Sequence, residues 1–379
     1  MLKQRPMLDK ALRVARLSGK SLIRQAIEII RLRHRNPTLG ATDYYRFQLH
    51  DPEYTASSRP EDYLGWRAEQ QLALTLNPRT AVTPAWDKLT FTVIAQAFDL
   101  PVPKLIALYR SRTHAAAHVA EAIADSPDAL AKWLRTNTRW PVFAKPSYSQ
   151  QSLGCFHLTG YQTDGDVLVT RRGEKLPVER FVSDIVEAPN GPFYQREMGY
   201  LFQEVLRPHE QIARLTGSQS ISCARVVLIQ DAAGVEVVAT IWKIATGQND
   251  SDQMGARYVG NLLGGVDPTS GRVGPVINYQ GLIVELPGAA QLTEAFVLPD
   301  WEEALALCRR AAAVFPLMRI QHWDVALTDR GPCLLEVNDI GAIAGLQCFG
   351  RGLLTDRMRA LLRSHADSAK VPWIRRLCG

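Results

Sequence analysis

The segment 323–339, WDVALTDRGPCLLEVND, constrains the fold more than any other stretch of this 379-residue chain. Asp329-Arg330-Gly331 reads as a three-residue hairpin turn with glycine at the left-handed position. Thr328 then faces Pro332, and counting outward sets Asp324 opposite Glu336. Asn338 lies two residues further on the same face, because side chains alternate along a strand. Val325, Leu327, Leu334, Leu335 and Val337 are apolar, so the hairpin packs on a core and its polar face borders something else. Two carboxylates and a carboxamide side by side repel unless a cation neutralises them. All three are hard oxygen donors, which suits Mg2+ or Mn2+ rather than zinc. A solvated face with incidental acids is the alternative reading of the same pattern.

Magnesium commonly accompanies phosphates. The apolar run WPVFAKP (140–146) reads as a buried strand ending near Lys145, and the small polar loop SYSQQSLG (147–154) follows it. Backbone N–H groups of such a loop cradle phosphate oxygens and a lysine adds a point charge, which makes Lys145, Ser147, Ser149, Ser152 and Gly154 candidates. Lys88 opens a helix over 86–98 that the Leu-Pro-Val-Pro run at 100–103 stops. Tyr200 to Leu206 form an apolar strand carrying Gln203 and Glu204. Backbone groups there suit an adenine edge, and Glu210 just beyond suits ribose hydroxyls. Each element alone has a plainer reading, as a solvated lysine or an edge strand running into a polar loop.

The chain is too long for one small module and suggests two or three subdomains at ~100–200 residues each. Its 46% hydrophobic and 22% charged residues exclude global disorder and a disulfide miniprotein. The six cysteines form no CxxC pair and read as reduced thiols. No apolar run approaches the ~18–20 residues that cross a bilayer, and the first twenty residues lack an apolar signal core. A cytoplasmic protein is expected. Of the net charge of +6, residues 1–40 carry +8, from ten Lys/Arg against Asp9 and Glu28, so the remainder carries −2. That imbalance argues against nucleic-acid binding by the body. Residues 8–34 read as one or two basic amphipathic helices, either docked on the body or touching an anionic membrane surface or acidic partner.

Further along, helices are expected over 60–76, 114–135 and 300–316, the last capped by Asp300. Strands are expected at 104–109, 225–230 and 235–244. The strand pairs look antiparallel, which predicts an α+β fold rather than a doubly wound sheet. No GxGxxG or GxxxxGK[ST] motif is present. The polar, Gly-rich stretch 246–265 is long enough to suggest a functional loop, with Asn249, Asp250, Asp252, Arg257, Asn261 and the Gly264-Gly265 pair as substrate-recognition candidates. Cys155, His157 and His209 read as structural.

Taken in order, D-K-x-x-F, Leu-Pro-Val-Pro, F-A-K-P with its small-residue loop, Q-E-V-L, R-V-V and W-D-V-A-L-T-x-x-G-P-x-L-L-E-V-N resemble the ATP-grasp superfamily. The chain looks most like its sugar-transfer-associated group, related to α-L-glutamate ligases. The resemblance spans about 42–355. It implies an ATP-grasp fold with ATP clasped between two α+β subdomains, here 81–206 and 207–379, after a basic helical region, 1–80. By that resemblance Lys88 and Lys145 contact phosphates under the loop 147–154. Gln203, Glu204, Val205 and Leu206 frame adenine, and Glu210 holds ribose. Asp324, Glu336 and Asn338 bind Mg2+ or Mn2+. Arg225, Lys243 and Arg257 stand as catalytic cations. Two departures stand out: the phosphate loop has only Gly154, and His322 occupies a place where related ligases often carry arginine.

The chemistry so implied is carboxylate activation by ATP, forming an acyl phosphate that an amine attacks, in natural-product, peptide or glycan-precursor assembly. The partners are then a small carboxylate and a small amine. A kinase passing phosphate to a hydroxyl uses the same nucleotide site. A non-catalytic body tethered through its basic helices is the third reading.

Overall fold

The computed structural model describes residues 6–111, 119–188, 196–254, 258–291, 294–367 and 370–378. The basic N-terminal stretch is two helices, α1 (Pro6–Ser18) and α2 (Leu22–Arg35). Gly19 at φ 66° breaks them apart, and the Ser21 hydroxyl restarts the second by accepting from the Arg24 N–H at 3.2 Å. Two more helices follow, α3 (Ala41–Arg46) and α4 (Trp66–Leu76), then α5 (Thr83–Trp86) and α6 (Lys88–Ala97). Asp87 caps α6, accepting from the Leu89 N–H at 3.0 Å.

The first sheet contains β1 (Leu105–Tyr109), β2 (Ala122–Ala124), β3 (Val142–Pro146), β4 (Phe156–Gln162), β5 (Val167–Thr170), β6 (Lys175–Pro177) and β7 (Tyr200–Glu204). Their order is β2-β1-β7-β3-β4-β5-β6. Every pair is antiparallel except β1 with β2. The helix expected over 114–135 is much shorter: α7 spans Pro127–Thr136, and Ala122–Ala124 is an edge strand. Ser126 caps α7, and a proline at 127 forces the residue before it into extended backbone, so no helix runs through that point. Residues 112–118 lie outside the described residues.

The second sheet is antiparallel throughout, in the order β11-β10-β9-β8-β12-β13. It comprises β8 (Cys223–Asp231), β9 (Gly234–Ile244), β10 (Leu262–Val266), β11 (Val273–Ile277), β12 (Ile320–Thr328) and β13 (Gly331–Asn338). Strand alternation gives it two different faces. Ala224, Val226, Leu228, Trp242, Trp323, Val325 and Leu327 bury against the helix Trp301–Val314. Val227, Ile229, Ile241 and Ile320 point the other way, into a core shared with α2, α3, α4 and the helices Asp356–His365 and Pro372–Cys378. Asp300 precedes the helix Trp301–Val314 but caps nothing: it sits at φ 51° with no side-chain hydrogen bond to the first turn. The α6 helix bridges the sheets, with Phe91 against Trp323 and Leu89 among Leu105, Leu108 and Leu201.

The central hairpin differs from expectation in two places that cancel. Thr328 pairs with Gly331 and Leu327 with Pro332, so the turn holds only Asp329 and Arg330. The register then shifts between the Val325–Leu334 and Asp324–Glu336 pairs, leaving Leu335 as the extra residue of a β-bulge. Asp324 and Glu336 therefore do face each other, and Asn338 pairs with His322.

Candidate active site

A cavity of about 540 Å³ opens between the two sheets. The second sheet supplies its floor. Asp324 on β12 stands opposite Arg225 on β8 and opposite Glu336 on β13, so three charges share one face. On β9, Lys243 lies two residues past Ile241, the partner of Arg225, and so projects from the same face.

The charges are tightly paired. Arg225 Nε donates to Asp324 Oδ1 at 2.8 Å and Nη2 to Oδ2 at 2.8 Å, a fork-on-fork pair. Lys243 Nζ reaches the same Oδ2 at 2.9 Å and Asp252 Oδ1 at 3.3 Å. Burial works against ionising Asp324, but the two cations beside it hold its carboxyl well below the usual range. Burial likewise opposes the charges of Arg225 and Lys243, yet their carboxylate partners raise both above their ordinary values. His322 next door is neutral, pushed down to about 3 by burial and by Arg225.

The first sheet supplies the opposite wall. Lys145 at the end of β3 is buried, and that burial, with Lys88 nearby, lowers its pKa from the ordinary lysine value. Lys88 Nζ donates to the Ser149 carbonyl at 3.0 Å and stands 3.5 Å from Glu336 Oε2. The loop 147–154 reaches across to the second lobe, where the Ser152 and Ser251 hydroxyls meet at 2.7 Å. Arg172 extends this seam to Asp250 at 3.4 Å. Apolar Phe143, Val205, Leu206, Ile221 and Leu335 also line the cavity, beside Gln203 and Glu204. Glu204 is anchored by the Lys104 N–H at 3.0 Å and by Arg330 at 2.9 Å.

Of the residues singled out from sequence, the cavity gathers Lys88, Lys145, Ser149, Ser152, Gln203, Glu204, Val205, Leu206, Arg225, Lys243, Asp252, Asp324, Glu336 and Asn338. Others stand elsewhere. Ser147 is fully buried and bonds Asp87, so it fixes the start of α6 instead of facing the cavity. Gly154 turns the loop at φ 72° while its carbonyl accepts from the Tyr200 hydroxyl. Glu210 is exposed and paired with Arg214 at 2.9 Å. Asn249 and Asn261 brace their own loop: Asn249 Nδ2 donates to Asn261 Oδ1 at 2.8 Å, and Asn261 Nδ2 donates to the Ser251 carbonyl at 2.6 Å. Asp252 reaches the cavity with both oxygens occupied, by the Cys223 N–H at 2.9 Å and by Lys243. Arg257 lies outside the described residues. Cys155 and His157, read as structural, do line the cavity. Burial nevertheless lifts the Cys155 thiol to about 11 and lowers His157 to about 4, which leaves a protonated thiol and a neutral ring.

The sequence reading missed Glu69, Trp86, Tyr148 and Asp339, which line the cavity, whereas Asp250, a candidate from the 246–265 loop, does reach it. Glu69 had a signal. It stands with Leu72, Ala73 and Leu76 on the core-facing stripe of α4, where an acid is out of place. Burial raises its pKa from the ordinary glutamate value. Trp86 stacks on Tyr148 at 5.8 Å and donates to Asp339 at 3.1 Å, a pairing across distant segments that no local pattern marks.

Asp324, Glu336 and Asn338, the trio singled out from sequence, all face the cavity, but Asp324 is already engaged. Both Asp324 oxygens are held by Arg225 and Lys243, whose charges already neutralise it. Among the described residues no group of three or more His, Cys, Asp or Glu side chains is placed to hold a metal ion. Glu336 and Asn338 both line the cavity and are joined at 3.3 Å through the Asn338 Nδ2. Those two oxygen donors fit a magnesium ion that takes its other ligands from phosphates and water.

Among curated proteins, none matches this chain in sequence. D-alanyl-alanine synthetase A from Vibrio cholerae aligns over 79% of this chain and 66% of its own, at 14% identity and a TM-score of 0.40. The VanG D-Ala:D-Ser ligase from Enterococcus faecalis aligns over 74% and 63%, at 12% identity and a TM-score of 0.42. An L-amino acid ligase from Bacillus licheniformis aligns over 78% and 51%, at 12% identity and a TM-score of 0.39. The chain thus spans about half to two thirds of the length of these proteins. The model of the sugar-transfer associated ATP-grasp family matches residues 67–361, taking in α4, both sheets and every wall of the cavity, and the chain belongs to that family.

Proposed function

We propose that the chain is an ATP-dependent ligase that joins a carboxylate to an amine through an acyl phosphate. One observation carries this reading: Lys88, Lys145, Arg225 and Lys243 converge on a single cavity that is apolar on one side, in a chain of the ATP-grasp family. Four cations suit a polyphosphate, and the slot between Phe143, Leu206, Ile221 and Leu335 suits a purine. Lys88 and Lys145 then take phosphate oxygens, with backbone groups of the loop 147–154. Gln203 to Leu206 frame the base. Glu336 and Asn338 hold Mg2+, which when bound neutralises phosphate charge and aligns the terminal phosphoryl group. Arg225 and Lys243, fixed by Asp324, face the reacting group.

A substrate carboxylate oxygen attacks the γ-phosphorus, the bond to ADP breaks, and the acyl phosphate forms. The amine attacks its carbonyl carbon, phosphate leaves, and the amine proton passes to solvent. Placement and charge neutralisation suffice, with no protein nucleophile. The protonated Cys155 thiol supports that reading. Glu69, Asp250 and Asp339 give the cavity acidic walls that suit an ammonium substrate.

The test is a panel of amino acids and amino sugars incubated with ATP, Mg2+ and hydroxylamine. Carboxylate-dependent ADP release with a hydroxamate product is expected. ADP release on a hydroxyl acceptor without hydroxamate would make the protein a kinase, and absence of nucleotide binding by calorimetry would remove the nucleotide site altogether.

A further inference from the structure

The α2 helix carries two faces that do opposite things. Gln25, Glu28, Ile29 and Leu32 turn toward the body, where Tyr44 donates to Glu28 at 2.5 Å and Tyr45 to Gln25 at 2.9 Å. Leu22, Ile23, Ala26, Ile27 and Ile30 fall on one stripe of the opposite side, as their spacing on a helix requires. That stripe faces solvent: Ile23 is 75% exposed, Ile30 68%, and Leu17 in the preceding helix 80%. Isolated exposed apolar residues are ordinary, but a continuous row of isoleucines along one helix face is not.

The charges around the row are basic except for Asp9 at the start of α1. Arg31, Arg33 and Arg35 on α2, and Arg13 and Arg16 on α1, have no ion-pair partner among the described residues. The one acid on α2, Glu28, is drawn inward and held by Lys20 at 2.9 Å and Arg24 at 3.3 Å. The outward surface is thus apolar side chains rimmed by free guanidinium groups. An anionic lipid surface matches both features at once, because acyl chains take the isoleucines and headgroup phosphates take the arginines. A protein partner needs a groove of matching shape as well as acids, and nothing else on this face selects one.

We propose that the outer face of α2, with the adjoining arginines of α1, docks the chain peripherally on a membrane rich in anionic lipid. This surface is separate from the cavity and does not rest on the ligase reading. Docking would hold the enzyme at a lipid surface as a reversible, salt-sensitive attachment, since among the described residues no helix is long and apolar enough to span.

The full chain should be sedimented with vesicles of phosphatidylcholine alone and with vesicles containing about one quarter phosphatidylglycerol. It should pellet with the anionic vesicles only, and about 0.5 M salt should release it. The double variant Ile23→Ser, Ile30→Ser should bind about tenfold more weakly, because two exposed insertion groups are lost without touching the core. Arg31→Glu with Arg33→Glu should abolish the preference for anionic vesicles. The thermal melt followed by circular dichroism should be the same in all variants, which shows that they are folded. The proposal is overturned if the full chain ignores anionic vesicles, or if either double variant binds like the parent. It also fails if the parent is a dimer that Ile23→Ser, Ile30→Ser converts to monomer without any vesicle binding, since a second copy of the chain would then own the face.

Discussion

Asp324 and Glu336 face each other across one rung of sheet, yet their surroundings give them different duties. Asp324 is buried under two cations; Glu336 is half-buried at the cavity edge, 3.5 Å from Lys88. Removing one member of a buried ion pair leaves the other uncompensated and costs about 3–5 kcal/mol. Asp324→Asn would leave Arg225 without its forked partner and Lys243 with Asp252 alone. The expected result is a fall of that size in unfolding free energy by urea titration, along with loss of turnover. Glu336→Gln keeps the shape and removes only a partly solvated charge, so stability should change by less than about 1 kcal/mol. Its turnover should fall sharply while raised Mg2+ recovers a part of it. A large stability loss in Glu336→Gln, with little in Asp324→Asn, would reverse the assignment of structural and cavity-facing acid.

At the scale of elements, the elements that declared themselves in sequence were those with strong local rules. The helix opened at Lys88, the strands read at 225–230 and 235–244, and the apolar flanks of the 323–339 hairpin are short-range patterns, and the structure follows them. The facing of Asp324 and Glu336 was legible for a less secure reason, since a turn one residue shorter and the bulge at Leu335 offset each other. Side-chain roles inside loops were not legible. Ser147, Asn249 and Asn261 are polar residues whose partners are fixed only by tertiary folding, and they brace backbone where ligand contact was expected. The entry to α4 shows how closely elements are set. A Cβ on Gly65 would lie 1.9 Å from the Thr38 carbonyl oxygen, so no side chain fits there. Gly65→Ala must push α4 away from that strut and take Glu69 with it. A loss of about 1–3 kcal/mol in unfolding free energy is expected, with a raised KM for the amine and little change for ATP. Unchanged KM values for both would show that Glu69 does not border the amine.

For the whole molecule, the N-terminal helices are part of the fold and not an appendage. Asn77 bonds both the N–H and carbonyl of Ile320 at 3.1 and 2.8 Å, and Gln347 does the same for Leu64 at 2.8 Å each way. Arg359 meets Asp62 at 2.6 Å. Beneath these bonds, Leu39, Tyr44, Phe47, Leu64, Leu72 and Leu76 cover the face of the second sheet formed by Val227, Ile229, Ile241 and Ile320. The same face, a few residues along each strand, carries Arg225, Asp324 and Lys243, so the cover that protects the core also walls one side of the cavity with Glu69. Exposing the four sheet residues alone costs about 1.5–3 kcal/mol each, a sum comparable to the whole stability of a typical domain, about 5–15 kcal/mol. A chain starting at residue 77 should therefore be recovered as aggregate, whereas one starting at residue 20 should keep its cooperative melt and its nucleotide binding. Were the shorter chain to melt cooperatively with the same midpoint, the second sheet would hold its own core and the helices would be a dispensable cap.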